Sequence, residues 1–450
     1  MATARDLAVD AVLVLDRDDG RVREALLALR GEVADPRDRG LLTEVAYGVA
    51  RRLGTLDAVL ARASRTPLPR LDPAVRAALR VGLYQALFLD RVPPSAAVDA
   101  AVESVKGRAG PRLAGFVNGV LRTILRGLDG PASGAEDPCR DVPRPGAASV
   151  RFSHPTFADP AVDLAGNLAE RFAHPAWLVA RWLDRWGEAR TRSLLALGCA
   201  RPPLCLRAAP GTRAALVEEL VRGGVGARAG DGPDEVVCPD GDPEALAPVR
   251  DRRATVQDGT AQRVAPLVAP RGGERVLDLC AAPGGKTLHL LDLLGASGEV
   301  VAADVSPEKV DALARTLATR PPSGAVARAV LVPERGPLPF APASFDAVVL
   351  DAPCSNTGVL RRRPEAKARL RPRDLASLAA LQDDLLARAR VLVRPGGRLV
   401  YATCSIEPEE GEDRRDRFLA AHRGATLAAG FSVLPTDDRD GGFAAAFVLP

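Results

Sequence analysis

Apolar residues recur at helical spacing through the first 128 positions. The stretches "RGLLTEVAYGVARRLGTLDAVLARA", "DPAVRAALRVGLYQALFLD", "SAAVDAAVESVKG" and "RLAGFVNGVLRTILRGL" each carry an apolar stripe three and four residues apart. The pattern predicts an all-helical bundle over residues 1–128. Asp72-Pro73 and Pro93-Pro94-Ser95 fall where helices would begin, since proline is tolerated in a first turn. Tyr84, Phe88 and Phe116 suit a core, and the polar residues suit solvated faces. Nothing here has the pattern of catalysis, so the bundle reads as a binding or docking domain. The periodicity then stops. Residues 129–150, "DGPASGAEDPCRDVPRPGAASV", are rich in Pro, Gly and Ala and read as a linker, with Cys139 an incidental exposed thiol.

Residues 151–253 predict a small α+β subdomain. "PAWLVARWLDRWGEARTRSLLALG" reads as an amphipathic helix or helix pair, with Trp182 and Trp186 on one face. A packed tryptophan face is the simpler reading of that pair than base stacking. "PLCLRAA", "TRAALVEELVRGGV" and "DEVVCPDG" then suggest strand, helix, strand. Over residues 254–450 short apolar strands alternate with helices: "RVLDLCA", "GEVVAADV", "ARAVLV", "FDAVVLDAPC" and "GGRLVYATCS", with a last strand in "GGFAAAFVL". This alternation predicts a mostly parallel, doubly wound, Rossmann-like α/β sheet. Ligands bind such sheets at the carboxyl ends of the strands, where three of the motifs lie.

Composition narrows the setting. A chain of 450 residues is too long for one ordinary core, and 47% hydrophobic residues are enough to fill two or three. No apolar run approaches the ~20 residues of a membrane-spanning helix, and acids interrupt the first residues where a signal peptide would be apolar. A cytoplasmic protein, in no membrane, is expected. The seven cysteines are scattered and never form C-x-x-C, and the four histidines are dispersed, so neither a disulfide framework nor a metal site is expected. A net charge of +4 is mild. Lys106, Lys286, Lys309 and Lys367 are the only lysines among 61 basic residues, a bias that a GC-rich coding sequence explains. Arginine enrichment alone therefore does not argue for RNA.

The chemistry sits at strand ends. In "LDLCAAPGGKT", Gly284 and Gly285 let the backbone approach a ligand, and the helix that follows favours an anionic group at its start. The string is neither G-x-G-x-x-G nor a Walker loop. Asp304 ends the next strand, where an acid typically bonds ribose hydroxyls. Together they indicate a nucleoside cofactor whose other end carries a carboxylate. "LDAPCSNTG" and "YATCS" add Asp351 and two thiols, Cys354 and Cys404. An acid and two thiols suit covalent chemistry on a base. Cytosine C5 is too weak a nucleophile to take a methyl group directly. A thiolate adding at C6 turns the ring into an enamine, and an acid at N3 stabilises the charge. Chemistry alone would rank Cys354 first as the nucleophile. Any one of these cysteines could be a small core residue; their grouping argues otherwise.

These strings resemble the RsmB/Sun family of 16S ribosomal RNA cytosine-5 methyltransferases. The resemblance covers essentially the whole chain. "LLTEVAYGVARRLGTLD", "LRVGLYQALFLDRVPPSAAVDAAVE" and "FVNGVLR" are similar to the NusB-like RNA-binding domain of that branch, and "TVQDGTAQRVAPLV" to the lead into its catalytic domain. The resemblance implies S-adenosylmethionine as cofactor, held by Cys280, Ala281, Ala282, Pro283, Gly284, Gly285, Lys286, Asp304 and Asp351. It implies that Cys404 is the nucleophile, that Asp351 faces cofactor and base, and that Cys354 helps release the product. It thus reverses the order that chemistry alone gives the two thiols. The implied substrate is 16S ribosomal RNA or a small-subunit precursor, met by a monomer.

Three departures stand out. "VARAVLVPERGPL" offers no Asp after the third strand, where the family usually contacts the cofactor. The usual acid before the first strand is replaced by Gly259, and the end of the chain matches only loosely. The run "GVLRRRPEAKARLRPRD" holds seven basic residues against two acids, and Arg361, Arg362 and Arg363 are expected to meet RNA phosphates. A positive charge is unfavourable at a helix start, so Lys286 is read as a contact in the active site. Two rivals remain at this point. One is a DNA cytosine-5 methyltransferase with Cys354 attacking. The other is a non-catalytic RNA-binding or assembly factor that keeps the fold.

Overall fold

A computed structural model describes residues 2–17, 20–319 and 324–450. It forms two compact units: Met1–Arg201 with Leu360–Leu370, and Pro202–Val359 with Arg371–Pro450.

The helices of the first unit begin where capping chemistry places them. Asp35 accepts the Arg37 amide at 2.7 Å ahead of helix Pro36–Ala63. Asp72 accepts the Ala74 amide at 2.8 Å ahead of Pro73–Phe88. Each cap satisfies an amide that the helix leaves unpaired. Pro94–Ala109 and Pro111–Arg126 follow. Their apolar stripes close on one core holding Leu42, Leu56, Leu79, Leu83 and Tyr84, with Phe88 and Phe116 at its margin.

Residues 129–150 are more than a linker. Leu128–Pro131 and Asp141–Val142 pair antiparallel with Val150–Phe152. Strands this short cannot show an alternation. A charged pair fastens them: Arg151 donates to buried Asp141 at 2.6 and 2.7 Å. Cys139 is half-buried rather than exposed. Helices Leu164–Phe172 and Ala176–Cys199 also belong to this unit, which runs to Arg201. Gly187, at φ 72°, kinks the longer one into a helix pair. Trp182 is buried and the Trp186 ring lies 5.9 Å from it, which is the packed face.

The second unit opens with the expected strand, helix and strand, Leu204–Ala208, Arg213–Arg222 and Glu235–Cys238. Arg228–Ala229 and Ala254–Val256 complete an antiparallel sheet of four. The central sheet has seven strands: β1 (Arg275–Leu279), β2 (Glu299–Asp304), β3 (Val326–Leu331), β4 (Phe345–Asp351), β5 (Val393–Thr403), β6 (Thr426–Val433) and β7 (Gly442–Val448). Their order is β3-β2-β1-β4-β5-β7-β6. The first five are parallel, and β7 is antiparallel to both neighbours. Alternate residues serve two cores. Leu277, Val301, Val348 and Leu399 face one side, and Val276, Val300, Val349 and Val400 the other. Register sets Leu279 beside Ala303, Leu350 beside Leu279, and Asp351 beside Ala402. The motif-bearing ends of β1, β2, β4 and β5 therefore share one edge. β6 runs where no strand was predicted.

Candidate active site

All the groups described next lie in the second unit. After β1 the chain turns through Cys280, at φ 60°, and Gly284, at φ 105°, into helix Gly285–Leu294. At Gly284 a side chain would have to adopt a left-handed backbone and would bring a Cβ to 2.8 Å from Leu313. The Ala281 amide donates to the Ala303 carbonyl at 3.0 Å, tying the loop to β2. Burial pushes the Cys280 thiol up to about 12, which disfavours a thiolate there.

The loop fits a nucleoside cofactor with a charged amino-acid end. A Cβ on Gly285 would meet nothing nearer than the Gln257 amide nitrogen at 3.9 Å, so the space above it is open. That amide nitrogen is buried and has no partner, while Arg207 holds the other end of Gln257 at 2.8 Å. Asp278 is fully buried. One of its oxygens accepts Thr287 Oγ1 at 2.7 Å and the other has no partner. Burial raises the Asp278 carboxyl to about 7. An unpaired donor and an unpaired acceptor beside the loop are what an amino-acid end would satisfy. Asp304 ends β2; its Oδ1 accepts the Val305 amide at 2.9 Å, while its Oδ2 has only a long contact of 3.4 Å from the Ala282 amide. Oδ2 therefore keeps capacity for a ribose hydroxyl. Gly259 has a local reason. A Cβ there would lie 2.0 Å from the buried Glu235 carboxylate, which takes the space a side chain would need.

Asp351 ends β4, and Lys286 Nζ donates to it at 2.5 Å. Burial alone would lower the ammonium; the charge and hydrogen bond of Asp351 outweigh it, so Lys286 titrates above its ordinary value. Cys354 and Cys404 follow β4 and β5, and their sulfurs are 3.2 Å apart. The hydrogen bond that Cys354 donates to Cys404, then burial, pushes the Cys354 thiol well above the usual range. Cys404 Sγ donates to Asn356 Oδ1 at 3.4 Å, and Asn356 Nδ2 donates to the Cys354 carbonyl at 2.9 Å. The Gly358 amide donates to the Cys404 carbonyl at 3.0 Å. The two cysteine loops are thus sewn together. Asn356, Gln257 and Glu410 were not singled out from sequence. Asn356 stands inside a quoted motif, and its type, tolerant of a left-handed backbone, was a usable signal.

The basic run is placed differently from expectation. Residues 360–370 belong to the helical unit. Arg361 is 2% exposed, which removes it from a phosphate-contacting face; Arg362 is half-buried and Arg363 exposed. Lys367 is buried too and donates to the carbonyls of Arg51 at 2.6 Å and Gly198 at 3.1 Å. A charged run is usually solvated, but the Lys367 head finds carbonyls inside.

The sequence model of the 16S rRNA methyltransferase RsmB/F family matches residues 265–438. That of the NusB family matches 2–126, and that of the RsmF/B ferredoxin-like domain 174–240. A Mycobacterium tuberculosis protein named at the level of methyltransferase is 39% identical, over 88% of this chain and 81% of its own. The ribosomal RNA small subunit methyltransferase B of Erwinia tasmaniensis is 33% identical, over 98% of this chain and 97% of its own. The crystal structure of PH0851 shares the fold over 98% of both chains, with a TM-score of 0.77 at 23% identity. The chain belongs to the RsmB/F family of 16S rRNA methyltransferases, with a NusB helical domain and S-adenosylmethionine as its cofactor.

Proposed function

We propose that the chain methylates C5 of a cytosine in 16S ribosomal RNA through a covalent bond from Cys404 to C6. The observation that carries this reading is the pair of sulfurs 3.2 Å apart, on the loops after β4 and β5, with Asp351 at the end of β4 paired to Lys286. Cys404 attacks C6 as a thiolate, and the electron pair of the C5–C6 double bond moves into the ring. Asp351, once it carries a proton as the base enters, donates it in a hydrogen bond to N3, and Lys286 fixes the orientation of the carboxyl. The bound cofactor supplies an electrophilic methyl group on its sulfonium sulfur. In release, the C5 proton passes to a base and the C5–C6 double bond re-forms. The C6–sulfur pair returns to Cys404, whose developing charge accepts a hydrogen bond from the Cys354 thiol beside it. A thiol held protonated keeps its donor at that moment.

The target base would be flipped out of its stack to reach the thiol. The NusB domain and Arg363, with Arg362, contribute contacts to the RNA backbone. The protein works as a monomer in the cytoplasm, where its substrate is made. Mutation tests the assignment. Cys404→Ala should abolish methyl incorporation into 16S RNA. Cys354→Ala should leave protein bound to RNA as a slow band on a denaturing gel. Residual methylation by Cys404→Ala sinks the assignment. Bisulfite sequencing of ribosomal RNA from cells with and without the gene would locate the nucleotide.

A further inference from the structure

Behind the two thiols lies a carboxylate that this chemistry leaves without a role. Glu410 ends the turn Pro408–Glu410 and is 0% exposed. Among the described residues no cation pairs with it. Its Oε1 accepts the Ser355 amide at 2.9 Å and Gln382 Nε2 at 3.1 Å, and its Oε2 accepts the Ser355 hydroxyl. Its backbone carbonyl accepts Tyr401 Oη at 2.7 Å and Thr403 Oγ1 at 3.3 Å. Gln382 also donates to the Pro353 carbonyl at 2.9 Å. One residue thus touches both the neighbour of Cys354 and the neighbour of Cys404. A neutral side chain would fill the space without the cost of burying a charge, so the charge does something that packing does not.

We propose that Glu410 is a positioning residue of the two-thiol site. It fixes the Cys354 loop against the end of β5 and sets its negative charge on the Cys354 side of the pair. A negative charge on that side disfavours a thiolate at Cys354, which stays a hydrogen-bond donor and leaves attack to Cys404. The titratable groups facing Cys354 are Cys404, Glu410 and Tyr401. After the Cys404 bond and burial, the charge of Glu410 adds to the upward push on Cys354. The cation of the site, Lys286, interacts instead with Cys404. The role rests on the covalent reading above, but its first test does not.

The test is Glu410→Gln in the full chain. Alkylation by iodoacetamide, resolved by peptide mass and followed across pH, needs neither RNA nor cofactor. The midpoint at Cys354 should fall by about half a pH unit or more when the charge is removed. An unmoved midpoint overturns the charge role, whatever Cys404→Ala does. Methyl transfer by Glu410→Gln should lose kcat roughly ten- to a hundredfold, with KM for S-adenosylmethionine within about twofold of wild type. An unmoved kcat overturns the positioning role. Should Glu410→Gln fail to fold, Ser355→Ala removes a donor to Glu410 and no charge. It should lose kcat roughly tenfold with the Cys354 midpoint kept, and a wild-type kcat in that variant overturns the proposal. In the unmutated chain, a Cys354 midpoint at or below the ordinary value of about 8.5 overturns it as well.

Discussion

Lys286 is charged at any physiological pH because Asp351 stands 2.5 Å from it. Its titration should therefore leave no mark on the pH profile of the reaction, while its removal should matter. Lys286→Met should lower kcat by about a hundredfold, the scale of losing one positioned polar group at a reacting centre, as measured by methyl incorporation. Gln257 makes the complementary case for binding. Its unpartnered amide beside Gly285 is a donor waiting for an acceptor. Gln257→Leu should weaken S-adenosylmethionine binding by about tenfold in a calorimetric titration, the value of a buried hydrogen bond to a charged group. Asp351, Cys354 and Cys404 were legible because each ends an apolar run. Glu410 was not. It stands in "EPEEGEDRRDR", where every neighbour suits a solvated helix, and burial of one acid among many leaves no trace in the pattern.

At the scale of elements, β1, β2, β4 and β5 were legible because they lie inside the sheet and most of their residues are apolar and buried. β6 was missed for the opposite reason: as an edge strand it has mostly exposed residues, so burial imposes no alternation. The join between the two cysteine loops is made by backbone. Gly358 donates to the Cys404 carbonyl, and its own carbonyl accepts the Gly441 amide at 2.9 Å. A Cβ at Gly358 would lie 2.6 Å from the Gly441 oxygen and 2.8 Å from that of Cys404. Backbone cannot yield as a flexible side chain can. Gly358→Ala should cost about 1–3 kcal/mol in denaturant unfolding and lose methyl transfer with it, because the sulfurs part.

At the scale of the whole molecule, two units were legible as a helical region and an α/β region, but their borders were not. Residues 151–253 read as a separate subdomain, and residues 360–370 read as part of a phosphate-contacting run. What fixes the second is one buried ammonium. Burial holds Lys367 down to about 8, against 10.5 for the free side chain. Between those values the unfolded chain binds more protons than the folded one, so stability rises with pH there. The contribution is present in full above about 10.5 and lost as pH falls through about 8, an effect on the order of 3 kcal/mol. Lys367→Met should flatten that rise in chemical denaturation followed from pH 8 to 10.5, which compares mutant and wild type at each pH.

The same eleven residues set an order of events. The helical unit takes its last piece from positions 360–370, far downstream of Arg201. On a ribosome, the first two hundred residues emerge with the Arg51 and Gly198 carbonyls still waiting for an ammonium not yet synthesised. The first unit to be translated therefore cannot be finished when its own first two hundred residues have emerged. It closes only after the strand carrying Asp351 and the turn carrying Cys354 have already left the tunnel.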